Sequence, residues 1–128
     1  MGIEIRTNNS KAIFDLPGHW QKFKKISDTI PGGQVMVVYS EYENDHNGDY
    51  NYLIGKEVEG DITCPEGMKI IEIEDDPYEK KEVKGMMPFA LIGAWKEIWA
   101  SGLNRAYHTD YEIHKGSDEV EIHVGVKE

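Results

Sequence analysis

Glu112, His114, Glu121 and His123 bring together the two side-chain types that hold or move protons near neutral pH and that ligate zinc. They fall in two runs, Asp110 to His114 and Val120 to Val126, on either side of Lys115-Gly116-Ser117-Asp118, the pattern of a β-hairpin. Alternation places Tyr111 and Ile113 with Ile122, Val124 and Val126 on an apolar side, so the two carboxylates and two imidazoles are expected to share the opposite face. Such a set could bind zinc or relay protons. The plainer reading is a solvated sheet face with ordinary cross-strand Glu-His pairs, and no metal is assigned.

A second group is aromatic. Trp20, Trp95 and Trp99 stand in a chain that also holds Tyr39, Tyr42, Tyr50, Tyr52, Tyr107 and Tyr111. Each ring taken singly reads as core, yet rings beside a carboxylate are also what an apolar cation requires: area, cation-π attraction and a counter-charge. Two other motifs carry less. Glu43-Asn44-Asp45-His46-Asn47-Gly48 has oxygens spaced as in a calcium loop, but its twelfth position is Ile54 where a bidentate carboxylate is needed, so it reads as a polar turn. Cys64 is the single cysteine, which excludes an internal disulfide, and with Pro65 behind it and no helix start to lower its pKa it reads as a bystander thiol.

These residues must be positioned by short elements. The length, 128 residues, fits one core, and a net charge of −10 repels phosphate backbones and anionic headgroups. Nucleic acid and membrane surfaces are therefore not expected partners, and with no long apolar run or leader-like start the chain reads as cytoplasmic. Ile13, Leu16, Trp20 and Phe23 form a helical stripe interrupted by Pro17-Gly18. Of two possible starts, Ser10 or Asp15 as cap, the second is favoured and places the helix from about Leu16 to Ser27. Gln34 to Tyr42 and Asp49 to Val58 then read as a hairpin about Asn47-Gly48. The second half repeats the order: Pro88, then the stripe Ile92, Trp95, Ile98 and Trp99, a stop at Gly102, and the final hairpin. A short strand precedes each helix, Gly2 to Arg6 and Tyr78 to Gly85.

The fold predicted is α+β: a tandem β-α-β-β repeat in one antiparallel sheet with both helices on one face, forming one domain over residues 1–128. Its halves are about 1–58 and 78–127, with 59–77 as a crossover holding a strand at Lys69 to Ile73. Neither half of about 55 residues buries its helix well alone.

Several stretches together carry a resemblance: Arg6-Thr7-Asn8-Asn9, Trp20-Gln21-Lys22-Phe23, Ile30-Pro31, Tyr42-Glu43-Asn44-Asp45 with Gly48-Asp49-Tyr50, and Gly85 before the second helix, then Ala94-Trp95 with Ile98-Trp99, Asp110-Tyr111-Glu112 and Val120-Glu121-Ile122-His123-Val124. From about Gly2 to Lys127 the chain resembles the GyrI-like small-molecule-binding family, the effector-binding domain found behind AraC- and MerR-type DNA-binding domains and also as stand-alone proteins. The resemblance implies a stand-alone binder or sensor of a small, cationic or amphipathic aromatic molecule, held in a groove between the halves with Glu112 as counter-charge. The ligand-binding candidates are Glu112, Trp95, Tyr39, Trp20, His114 and His123, with no catalytic residue and no cofactor. Two departures stand out: the first strand is short, and His114 and His123 occupy positions that are often aromatic or apolar in the family, making the pocket more polar and sensitive to pH. With no residues left for a helix-turn-helix, direct DNA binding is not expected; a separate regulator protein or a homodimer is the macromolecular partner the resemblance allows. The alternative implied by hydrolytic relatives is a hydrolase using Glu112 as acid or base with Tyr39 or a histidine.

Overall fold

The computed structural model describes every residue except His46, Asp61, Glu74, Asp76 and Glu128. The elements run β1 (Gly2–Thr7), α1 (Ala12–Ile26), a 3-10 turn (Ser27–Thr29), β2 (Val35–Ser40), β3 (Tyr50–Lys56), β4 (Tyr78–Lys84), α2 (Phe89–Ala100), β5 (Arg105–Gly116) and β6 (Glu119–Val126). This is β-α-β-β twice, the α+β class read from the periodicities. All six strands join one antiparallel sheet in the order β1-β3-β2-β5-β6-β4, a sequence symmetric about the β2–β5 seam.

Directly paired residues share a face, so the register decides what the helices cover. Val37 and Tyr39 on β2 stand opposite Ile54 and Tyr52 on β3 and opposite Glu112 and Asp110 on β5, which in turn face Ile122 and Val124 on β6. α1 lays Phe23 and Trp20 on the first half of this face, and α2 lays Trp95 and Ile98 on the second. Burying each such side chain stabilises the fold by about 1.5–3 kcal/mol relative to exposure. The two apolar clusters meet at Tyr39, which packs against both.

Local chemistry shifts some boundaries. α1 starts at Ala12 rather than near Leu16, because Asn8 organises the turn before it: its side-chain oxygen accepts the Lys11 amide at 2.9 Å and its carbonyl accepts the Ala12 amide at 2.9 Å. Pro17 is accommodated inside the helix, and Asp15, instead of capping, accepts the Thr7 hydroxyl at 2.8 Å and ties β1 to α1. The strand expected at Lys69 to Ile73 reduces to one bridge, Lys69 to Gly2. The Asn47-Gly48 connection is a wide loop between Ser40 and Tyr50, not a two-residue turn, and one position of the calcium-like run, His46, lies outside the described residues. Ile54, that run's twelfth position, is buried on β3. Among the described residues no helix is long and apolar enough to cross a membrane.

Candidate functional site

Glu112 sits on an interior strand beneath both helices, and its carboxylate is fully buried. Oε2 accepts the Tyr39 hydroxyl at 2.6 Å and the Trp95 indole N–H at 2.7 Å, while Oε1 meets His114 Nε2 at 2.9 Å. Tyr39 comes from the first half and Trp95 from the second, so this one carboxylate joins them. Rings close the walls. Tyr39 lies edge-on to Tyr52 at 5.2 Å and to Trp95 at 5.1 Å, and Trp20 stands 5.2 Å from the His114 ring while donating its indole N–H to the Tyr52 hydroxyl at 3.0 Å.

The tyrosines here are neutral. Burial first, then the field of Glu112, pushes the Tyr39 and Tyr52 hydroxyls well above their ordinary value and Tyr50 up to about 12. They keep their protons at any physiological pH and do not act as bases; Tyr39 donates its O–H to Glu112 and Tyr50 to Asn9 Oδ1.

Two residues along β5 and on the same face, Asp110 is equally buried but differently satisfied. Arg105 Nη2 donates to its Oδ2 at 2.7 Å, the Tyr42 hydroxyl donates to the same oxygen, and the Gly125 amide donates to Oδ1 at 2.8 Å. Burial works to discharge the Arg105 guanidinium, but Asp110, helped by Tyr42 and Tyr107, more than offsets it and the net shift is upward. The guanidinium also lies 4.5 Å from the Tyr107 ring centroid and 5.7 Å from that of Trp95. Asp110 thus carries its own cation. Among the described residues no Lys or Arg makes an ion pair with Glu112.

A carboxylate sunk among tryptophans and tyrosines at the seam of a tandem repeat is the arrangement expected of a small-molecule effector domain, and residues 1–126 match the family model Cass2, described as integron-associated effector binding protein. The chain belongs to that family. Its resemblance to GyrI-like effector-binding domains is borne out with it. Among solved structures the chain is similar to the integron cassette protein VCH_CASS2 from the mobile metagenome of Vibrio cholerae, at a TM-score of 0.80 and 24% identity over 98% of this chain and 88% of that one. It is also similar to SAV2435 bound to tetraphenylphosphonium, at a TM-score of 0.74 and 18% identity over 98% of this chain and 86% of that one. These likenesses show the fold. YobU of Bacillus subtilis (strain 168), named as a candidate transcriptional regulator, is 24% identical over 98% of this chain and 90% of its own.

In this effector-binding family member, five of the six ligand candidates come together: Trp20, Tyr39, Trp95, Glu112 and His114. His123 does not. It stacks on Tyr111 at 4.4 Å on the opposite face, with its Nε2 2.5 Å from Glu121 Oε1. The expectation that Glu112, His114, Glu121 and His123 share a face is therefore corrected: Glu112 and His114 stand with Ile122 and Val120, while Tyr111 and Ile113 stand with His123 and Glu121. The zinc reading loses its basis with the shared face, and among the described residues no three His, Cys, Asp or Glu side chains gather as metal ligands.

Sequence reasoning missed Asp110 and Arg105. The signal for Asp110 was present, since two acids at i and i+2 of a strand point the same way; nothing local marks Arg105, which reaches Asp110 around an irregularity between Arg105 and Asp110. A groove of about 600 Å³, lined by Met36, Ile113, Val58 and Ile62 with Glu57 and Glu59 at its rim, opens on the face away from Glu112. Its two acids are exposed and solvated.

Proposed function

We propose that this effector-binding protein holds a small, amphipathic aromatic cation between its helices, against Glu112, and releases it unchanged, serving as a ligand-binding or sensor protein. One observation carries the reading: of two fully buried carboxylates on β5, Asp110 is neutralised by Arg105 whereas Glu112 is met by two neutral donors and an imidazole. Burying an ionised carboxylate without a permanent counter-charge costs several kcal/mol whenever the imidazole beside it is neutral, and a lipophilic cation entering between Trp20, Tyr39 and Trp95 then recovers that cost while gaining ring contact. Tetraphenylphosphonium in the similar protein SAV2435 is a ligand of this chemistry. Because Glu112 is sealed, ligand entry requires the rings above it to part.

The test is a thermal-shift and calorimetric comparison of tetraphenylphosphonium with the neutral triphenylphosphine oxide. The cation at a hundred times its dissociation constant should add about 2.7 kcal/mol of stability, and the neutral compound far less; equal shifts would remove the electrostatic part of the reading. Mass spectrometry of the recovered ligand decides between binder and hydrolase. The hydrolase reading needs a base at Glu112 with water in reach, and its altered-mass product is the outcome that would restore it.

A further inference from the structure

His114 approaches Glu112 from the same strand, its Nε2 2.9 Å from Oε1, and its side chain is 21% exposed, so its proton has a path to solvent while its partner is sealed. We propose that His114 is the resident counter-cation of Glu112, and that an organic cation binds at this site by exchange for the proton that makes His114 a cation. The inference rests on the proposed cation site.

The argument is one of charge conservation in a closed space. An imidazolium at hydrogen-bond distance neutralises the carboxylate as Arg105 neutralises Asp110, but unlike a guanidinium it can discharge. When a ligand cation arrives, two positive charges beside one buried carboxylate repel each other across a medium of low dielectric. The imidazolium then loses one proton to solvent, the ligand supplies the positive charge in its place, and the net charge of the site is conserved.

The groups that face His114 and Glu112 from the neighbouring elements hold a fixed charge. Its neighbours across the sheet, Val35 on β2 and Val120 on β6, are uncharged, and α1 presents the Trp20 ring. Around Glu112, α2 presents the Trp95 indole, and β2 and β3 present the hydroxyls of Tyr39, Tyr50 and Tyr52, all protonated well beyond neutral pH. Asp110 is engaged by Arg105.

Tetraphenylphosphonium is the probe, because its charge does not vary with pH. Calorimetric titrations from about pH 5 to pH 8, the window in which imidazoles titrate, each run in two buffers of different ionisation enthalpy, give affinity and protons released together. Wild type should bind about tenfold more tightly per pH unit while His114 is protonated, then level off, with proton release approaching one per ligand on the steep part. His114→Gln keeps an N–H for Glu112 but cannot titrate, and should flatten the profile with the other histidines left in place. Binding without proton release in wild type would overturn the exchange but leave the cation site standing, and so would a pH slope that persists in His114→Gln. The proton count on wild type holds even if the variant folds poorly. Absence of binding at every pH would overturn the cation site itself, and the exchange with it.

Discussion

Asp110 and Glu112 are successive residues on the helix-covered face of β5, both without solvent exposure, and Arg105 closes on the first alone. We propose that the two acids therefore have opposite duties. At Asp110 a complete internal ion pair, with the Gly125 amide and the Tyr42 hydroxyl added, anchors β5 to the last strand and to the loop after β2. At Glu112 the neutral donors hold the carboxylate in place without cancelling its field. Buried charge pairs are poor sources of stability but strong constraints on what their surroundings accept.

Glu112→Gln tests the second duty. The amide keeps an acceptor for Tyr39 and Trp95 while removing the charge, so fold stability should change by no more than about 1 kcal/mol. Affinity for tetraphenylphosphonium should fall ten- to hundred-fold, about 1.5–3 kcal/mol, with neutral ligands much less affected. Calorimetry beside thermal melts reads both quantities. Unchanged cation affinity would place the site elsewhere.

Asp110→Asn tests the first. It strands the Arg105 guanidinium, which is buried against Tyr107 and Trp95. The expected loss is about 3–5 kcal/mol, read as a lower urea midpoint at an unchanged slope. A loss below about 1 kcal/mol would mean that water replaces the carboxylate at Arg105.

We propose that residues 1–128 unfold as one domain. The β2–β5 ladder continues the sheet across the seam, and Tyr39 packs into both apolar clusters. Trp20 reports on the first half, Trp95 and Trp99 on the second. Fluorescence transitions of Trp20→Phe and of the double variant Trp95→Phe, Trp99→Phe should coincide once each variant's own stability change is allowed for. Midpoints that remain apart would divide the chain near its crossover.

On the open face, the Lys115 ammonium 2.7 Å from Glu121, with His123 and Lys80 beside it, holds that carboxyl down at about 2 against an ordinary 4.5, in spite of its burial. Glu121 thus stays ionised in the fold at pH values where the unfolded chain takes up a proton. Its contribution to stability is complete above about pH 4.5 and disappears as pH falls towards 2. Urea midpoints measured across that window should fall more steeply for wild type than for Glu121→Gln. Parallel profiles would show that the pairing adds nothing to the fold.

Both helices, the strand before each and the doubled β-α-β-β order were legible in the residues, because helix and strand periods are local properties of the chain, but the first member of each apolar stripe, Ile13 and Ile92, is exposed rather than part of the buried face. The importance of Glu112 came from resemblance, and the aromatic set around it from composition. What the residues did not reveal was which side chains share a face in the last hairpin. Gly116 pairs with Glu119, but one step further His114 pairs with Val120, so Lys115 is an extra residue on β5 with no partner on β6. Continued without that bulge, the ladder would have set Glu112 opposite His123 and His114 opposite Glu121, the polar face expected from alternation. One added residue exchanges the faces of an entire strand relative to its neighbour. The bulge puts Glu112 and His114 under the helices and leaves His123 and Glu121 outside, and Arg105 reaches Asp110 only because β5 departs from register again between them. Alternation along a strand is set by the backbone of that strand, whereas register between strands depends on how turns and bulges are absorbed when the sheet closes over its core. That choice is made by the packing of all six strands beneath two helices, and only the tertiary structure records it.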